Sequence, residues 1–338
     1  MVWHVRRRVA ALEVRALRPG RRDDLALLDK SVVFPDNKPG VLPAAQTLAS
    51  HLARLGPRPV ADESLFDALD ELDLTGRGGG HFPVARKWRA ARDGVRSRGR
   101  SAVVVANAAE SEPASAKDLA LLVQRPHLVL EGLVCVAEAV EVRDLVLWTH
   151  GDGHPLHSRL VQALHERRAT LHEPVIRLVS GLSSYVSGES SAIVRALAGG
   201  PALPQFTLEH ATSGGVSGAP TLVHNVDTLA RIGLLARFGP ASARRTSLVT
   251  VLTAGHRTVV EADETWRIVD AVRAGGWSAD ESPQAVLMGG YGVQWLPWAE
   301  AAHLAVHEPT LRSAGTSLGA GDSCRCRPTH AASQKLRG

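Results

Sequence analysis

A chain of 338 residues, 44% hydrophobic and without an apolar run of transmembrane length, reads as a soluble globular protein of two or three domains, with no direct membrane insertion. Its net charge of +5 comes mostly from arginine, and the basic residues form no stripe interleaved with aromatics, which argues against nucleic-acid binding. The basic start Met1–Arg8 has no apolar run behind it, and Cys135, Cys324 and Cys326 give no disulfide framework, so a cytoplasmic protein is expected.

Residues 1–60 read as an N-terminal extension, turn-rich from Pro35 to Pro43 and helical in periodicity from Ala44 to Leu55. Ser64–Leu72 reads as an amphipathic helix with Ser64 as its N-cap. It leads into Gly76-Arg77-Gly78-Gly79-Gly80-His81-Phe82-Pro83, a loop with little side-chain bulk, whose backbone N–H groups can close on a phosphate. A helix is expected over Phe82–Arg92, with Lys87 and Trp88 on it and Pro83 in its first turn. Strands are expected at Ala102–Ala106, Asp144–Trp148 and Val175–Val179, and helices at Lys117–Arg125, Pro126–Val140 and Asn225–Phe238. Gly188-Glu189-Ser190-Ser191 opens a further helix that stops at Gly199-Gly200. This alternation predicts an α/β domain over 61–244 with much parallel sheet. Residues 245–320 read strand, strand, helix, strand, a small β-grasp-like module, and 321–338 read as a loose tail.

Several motifs have ordinary explanations. The glycine loop does not complete G-x-G-x-x-G, because position 81 is histidine. His150, His154 and His157 lack the acid or thiol that would complete a metal site, and no G-x-S-x-G elbow supports a hydrolase. Tyr185 reads equally well as a core residue, and Glu110 and Glu112 as a solvated pair at a strand end.

Taken together, the ordered segments carry more. Gly76–Gly80 with Phe82-Pro83 and Lys87-Trp88, Asn107-Ala108 with Glu110–Pro113, Lys117-Asp118, Pro126–Leu128, Tyr185 with Gly188-Glu189, and Asn225–Leu229 occur in an order and spacing that resemble one family. It is the FMN- and NADH-binding 51 kDa (F) subunit of respiratory complex I, with the related diaphorase subunits of hydrogenases and formate dehydrogenases. The resemblance implies a Rossmann-like FMN domain followed by an SLBB-like β-grasp module, and flavin-dependent oxidation of NADH or NADPH. The cofactor carries that chemistry, so no catalytic acid, base or nucleophile and no metal ligand is expected. It also implies the site: Gly76, Arg77, Gly78, Gly79, Gly80 and Lys87 at phosphates; Asn107, Tyr185, Gly188 and Glu189 along the flavin; Asn225 and Thr228 near the FMN phosphate; Glu110 and Glu112 at the nicotinamide; Phe82 over the dinucleotide.

The sequence departs from the family pattern in places. Ala109 and Ser190 stand where the family has acids, His224 replaces an asparagine, His81 a glycine, and Ala90 the aromatic that stacks on adenine. The three cysteines cannot ligate the family's C-terminal 4Fe–4S cluster, so no cluster is expected in this chain and the electrons are expected to leave through a partner subunit carrying iron–sulfur centres or through a soluble acceptor. The alternative expectation is a non-catalytic docking or ligand-binding subunit of a redox complex that keeps the fold.

Overall fold

The computed structural model describes residues 26–35, 45–151, 155–181, 184–207, 209–243, 245–253, 256–278, 283–290, 295–319 and 323–327. In chain order the first elements are β1 (Val32–Pro35), α1 (Leu48–Leu55), α2 (Ser64–Leu72), α3 (Val84–Arg98), β2 (Val103–Asn107), α4 (Lys117–Gln124), α5 (Pro126–Ala139), β3 (Asp144–Thr149), α6 (Pro155–Thr170) and β4 (Ile176–Ser180). They are followed by α7 (Ser190–Leu197), α8 (Ala211–Gly214), β5 (Thr221–Asn225) and α9 (Val226–Phe238). The chain then continues through β6 (Thr246–Thr253), β7 (His256–Asp263), α10 (Ile268–Ala274), β8 (Ala285–Met288), β9 (Trp295–Pro297), α11 (Trp298–Ala301), α12 (Glu308–Ser313) and β10 (Ser323–Arg327).

The first sheet is fully parallel in the order β4-β3-β2-β5. Side chains alternate across it. Val104, Ala106, Leu145, Leu147 and Leu222 pack into the large core with α5 and α9, while Val103, Val105, Val146 and Val223 face a smaller cluster around Ile193 of α7. A sheet buried on both faces explains why these strands read as unbroken apolar runs. The chain runs outward from β2 to β4 and then returns to β5 on the other side of β2. The strand order therefore reverses between β2 and β5, where open α/β sheets place ligands at their carboxyl ends.

Helices α5 and α9 cross closely on this sheet. A Cβ built on Gly132 of α5 would lie 1.8 Å from the carbonyl oxygen of Leu229 on α9, so only glycine permits that approach. Charge reinforces the same contact: Glu131 Oε2 accepts from His51 Nε2 (3.0 Å) and Arg237 Nη2 (2.8 Å), joining α1, α5 and α9. Burial would raise the Glu131 carboxyl, but these hydrogen bonds outweigh it and hold the group below its usual range. Cys135 sits in the same core, its thiol pushed up to about 12 by burial, and behaves as an apolar side chain.

His127 shares this interior, 3.4 Å from Glu166, and burial lowers its pKa from 6.5 to about 4, with the Arg167 and His51 charges acting the same way and Glu166 opposing them. Because the fold favours the neutral ring, this contribution is present above pH 6.5 and is lost as pH falls toward 4. Asp118, pushed up to about 6 by burial, works in the opposite sense over the same window. The effect of His127 is therefore read as a difference. The stability advantage of the parent over His127→Gln should shrink by on the order of 1–3 kcal/mol between pH 7 and 4.5. Parallel denaturant titrations check this, and a difference independent of pH would contradict it.

The second sheet is mixed, in the order β1-β7-β6-β10-β8-β9. β6 and β7 form the expected hairpin, α10 follows, and β8 comes next. Leu248 and Val259 face the first core, whereas Val249, Val251 and Val260 face a separate core with Ile268, Ala271 and Val272 of α10. The expectation of a loose tail over 321–338 is corrected for part of that span. Residues 323–327 form β10, parallel to β6 and antiparallel to β8, between the two. With it the β-grasp pattern is complete. The N-terminal extension contributes as well, since β1 pairs antiparallel with β7. At α2, Ser64 is the first helical residue rather than the cap; Asp62 Oδ1 accepts from its backbone N at 2.9 Å.

Candidate functional site

Two asparagines mark the reversal point. Asn107 ends β2 and Asn225 ends β5, directly opposite each other in the ladder. Asn225 Oδ1 accepts from Asp227 N (2.9 Å), which caps α9, and its Nδ2 donates to Asp118 Oδ2 (2.6 Å). Asn107 Nδ2 donates to the Gly188 carbonyl (2.8 Å), and its Oδ1 accepts from Ala109 N (3.1 Å). The strand ends are therefore tied to the turn before α7 on one side and to α4 and α9 on the other.

The glycine loop folds over the start of α9. Arg77 N donates to Thr228 Oγ1 (2.9 Å), Lys117 Nζ donates to Arg77 O (3.2 Å), and a Cβ on Gly78 would touch Asn225 Cβ at 3.4 Å. That is ordinary contact, so the loop lies against the strand end without requiring glycine at 78. Gly188 is far more confined: an added Cβ would lie 2.5 Å from Ala109 O. Glu189 caps α7, its Oε2 accepting from Ser191 N (2.8 Å) and Ala192 N (3.1 Å).

Lys87 comes up from α3 under β5, where its ammonium donates to the carbonyl of Val223. Burial pushes it down to about 8. No carboxylate is among its hydrogen-bond partners within the described residues. The neighbouring His224 is buried and held well below the usual histidine range by that burial and by the Lys87 charge. Its Nε2 accepts from Trp88 Nε1 at 2.9 Å, so the neutral ring carries its proton on Nδ1.

The structure brings together the glycine loop, Lys87, Asn107, Gly188, Asn225 and Thr228, with Glu189 capping the adjoining helix. Other predicted residues are placed differently. The Arg77 guanidinium reaches Ser247 of β6 (3.4 Å), on the side of the loop facing the second sheet. Glu110 caps α4, accepting from Asp118 N (3.1 Å) and Leu119 N (3.2 Å). Glu112 is buried and lies against Gly290, where an added Cβ would come within 2.5 Å of its carboxyl carbon. Phe82 and Tyr185 are exposed, at 52% and 57%, available to a ligand lying across the surface. His81 has φ 45°, a left-handed conformation that favours glycine, and lies 3.6 Å from Glu308 of α12. Of the histidine cluster, His150 bonds the Glu110 carbonyl (2.9 Å), His157 bonds Ser180 (3.2 Å), and His154 lies outside the described residues.

Sequence reasoning assigned no site role to Lys117 and Asp118. They form a buried pair (2.7 Å) that holds both the loop carbonyl and Asn225. The available signal was their adjacency in the motif, but nothing in the sequence shows that α4 points its first turn at the strand ends.

A glycine-rich loop at the reversal point of a doubly wound parallel sheet is where nucleotide- and flavin-binding α/β domains hold their ligands. Residues 69–234 match the model of the Nuo51 FMN-binding domain. The F subunit of the NADH-quinone oxidoreductase of Aquifex aeolicus is 27% identical over 190 residues, 53% of this chain and 44% of that protein. Its counterpart in Streptomyces coelicolor, of the same name, is 30% identical over 183 residues, 51% of this chain and 40% of that protein. The alpha subunit of the NAD-reducing hydrogenase HoxS of Cupriavidus necator is 29% identical over 188 residues, 52% of this chain and 31% of that protein. A crystal structure of the air-oxidized NAD+-reducing NiFe hydrogenase superposes with a TM-score of 0.67 at 25% identity, covering 80% of this chain and 48% of that one. The chain thus spans less than half the length of these relatives. No single helix among the described residues is long and apolar enough to cross a membrane.

Proposed function

We propose that this chain binds FMN in the crevice between β2 and β5 and oxidises NADH or NADPH there as a cytoplasmic subunit of a larger redox assembly. When bound, FMN would supply the hydride acceptor, and the two electrons would leave to an iron–sulfur partner subunit or a soluble acceptor. The observation that carries this reading is Lys87: a buried ammonium at the crevice with a backbone carbonyl, and no carboxylate, as its partner. Such a cation fits a phosphate, and the backbone of Gly78–Gly80 supplies donors to it, Gly76 N and Arg77 N being bound to Phe82 O and Thr228 Oγ1. Thr228 and Asn225 fix the loop and border the phosphate. Asn107, Gly188 and Glu189 shape the wall along the flavin, and Tyr185 closes it at the surface. Glu110 and Glu112 hold the rim on the nicotinamide side through α4 and Gly290, and Phe82 shields the dinucleotide.

The relatives named for NADH or NAD support the choice of nucleotide. Ala90 bears on its strength. It is exposed on α3 beyond the exposed Phe82, and a methyl group there offers no stacking surface. Base–aromatic stacking is worth roughly 1–3 kcal/mol in single-strand binders. By that analogy, dinucleotide binding is about ten- to a hundredfold weaker than with an aromatic at 90.

The test has two parts. Titrated FMN should be quenched with micromolar affinity; an absence of quenching ends the flavin reading. Mixing the flavin-loaded protein with NADH in stopped flow should bleach the flavin slowly with a high KM, which Ala90→Phe lowers. The second reading, a non-catalytic docking subunit, is favoured by the alanines at 90 and 109; it gains if flavin binds yet millimolar NADH produces no bleaching.

A further inference from the structure

Beside the glycine loop lies a cavity of about 420 Å3, lined from α2, α9, β6, β7 and α12. Its volume is within the usual range for small-molecule sites. Its lining includes the apolar Leu72, Leu234 and Phe238 together with Arg77, Arg231, Arg245 and Arg312.

Acids also line this cavity: Asp73 at the end of α2, and three glutamates that have neighbours of their own. Glu261 accepts from the backbone N of Leu27 (2.9 Å) and Leu28 (3.2 Å) and from Thr246 Oγ1 (2.8 Å). Glu308 accepts from Arg312 Nε (2.6 Å) and Leu318 N (2.8 Å), and Glu264 lies 4.0 Å from His307. The guanidinium of Arg231 differs. It is 7% exposed, donates through Nε to Asp227 (2.8 Å) and through Nη1 to Thr246 Oγ1 (3.4 Å), and its buried Nη2 has no hydrogen-bond acceptor among the described residues. A buried charged donor without an acceptor is costly, and an oxyanion in the cavity would satisfy it. Arg245, exposed at the start of β6, adds a second positive charge at the rim.

We propose that this cavity is a second ligand site, for a small organic oxyanion, a phosphate monoester or a carboxylate, whose charge meets Arg231 and Arg245 and whose apolar body lies on Leu234 and Phe238. The cavity shares Arg77 and Gly80 with the loop assigned to the flavin phosphate, but the proposal does not depend on that assignment. The cavity touches that loop through Arg77, whose backbone is held by Thr228 and Lys117.

Isothermal titration of the full chain with phenyl phosphate and, separately, with phenylacetate tests this, with inorganic phosphate and phenol as the two halves of the ligand. At least one whole ligand should saturate the protein about tenfold more tightly than either half, and the tighter of the two identifies the oxyanion. Arg245→Gln and Leu234→Glu should each weaken binding about tenfold, while Lys87→Ala leaves it unchanged. Arg231→Gln should abolish it; because that change strands Asp227, the paired variant Arg231→Gln with Asp227→Asn repeats the test in a neutral background. Failure of both ligands to saturate a folded protein at millimolar concentration would overturn the proposal. So would binding that is indifferent to Arg245→Gln and Leu234→Glu, or binding lost in Lys87→Ala alone.

Discussion

Replacing Lys87 by alanine is expected to weaken FMN binding by about ten- to a hundredfold or slightly more, the equivalent of roughly 1.5–3 kcal/mol for a hydrogen bond to a charged group. The protein itself should not suffer. The ammonium is already disfavoured by burial, which pushes it down to about 8, and its bond to Val223 O is with a carbonyl at the sheet edge. Removing it also lifts a positive charge from beside neutral His224. The variant should therefore melt at or near the parent temperature and bind flavin poorly. Fluorescence titration with FMN, alongside a thermal melt, separates the two effects. Unchanged affinity would show that the loop has another purpose, while a collapsed melt would show that Lys87 serves the fold.

The opposite pattern is expected at Gly132→Val, where the damage is to the fold alone. The first added carbon would sit 1.8 Å from the carbonyl oxygen of Leu229, and backbone cannot swing aside as a side chain can. The two helices would have to separate, opening the core between them and straining the Glu131–Arg237 contact one residue away. Overpacking of a tight core costs about 1–3 kcal/mol and occasionally more. A backbone contact this short places Gly132→Val at or beyond the upper end, a large part of the total stability of an ordinary domain. Denaturant unfolding measures it. A loss below about 1 kcal/mol would mean that the helix pair yields far more readily than this crossing implies.

The parts of the fold legible in the sequence are those whose signals are local. Helix α2 spans Ser64–Leu72 as expected, because its apolar spacing and the turn at Asp73 are both written in adjacent residues. The strands with two buried faces stand out as valine and leucine runs. Helix α3 runs six residues past its expected end, since the arginine-rich stretch hides its periodicity; the signal that ends it is Gly99, left-handed at φ 62°. The site divides in the same way. That the glycine loop, Asn107, Gly188, Asn225 and Thr228 meet at one end of the parallel sheet follows from the order of the motifs. Where Arg77 and Glu110 point does not, because a loop backbone and the packing of α4 decide that, and neither is encoded by spacing. β10 was missed for a related reason. Its alternation of cysteine and arginine over Cys324–Arg327 is a strand pattern, but too short and too polar to stand against its flanks.

The position of β10 has a consequence for how the protein is made. Its strand is the last among the described residues, yet it fills the centre of the second sheet, between β6 and β8. While the nascent chain emerges, the parallel sheet can assemble from contiguous residues, but the second sheet must wait with two unpaired strand edges until residues 323–327 leave the ribosome. Pairing β10 with β6 also requires closing a long loop, the slow kind of contact. A polypeptide released after residue 319 would therefore not be a trimmed version of the protein. It would carry a sheet divided through its middle, and light scattering during refolding should find it associating through edges that the full chain covers.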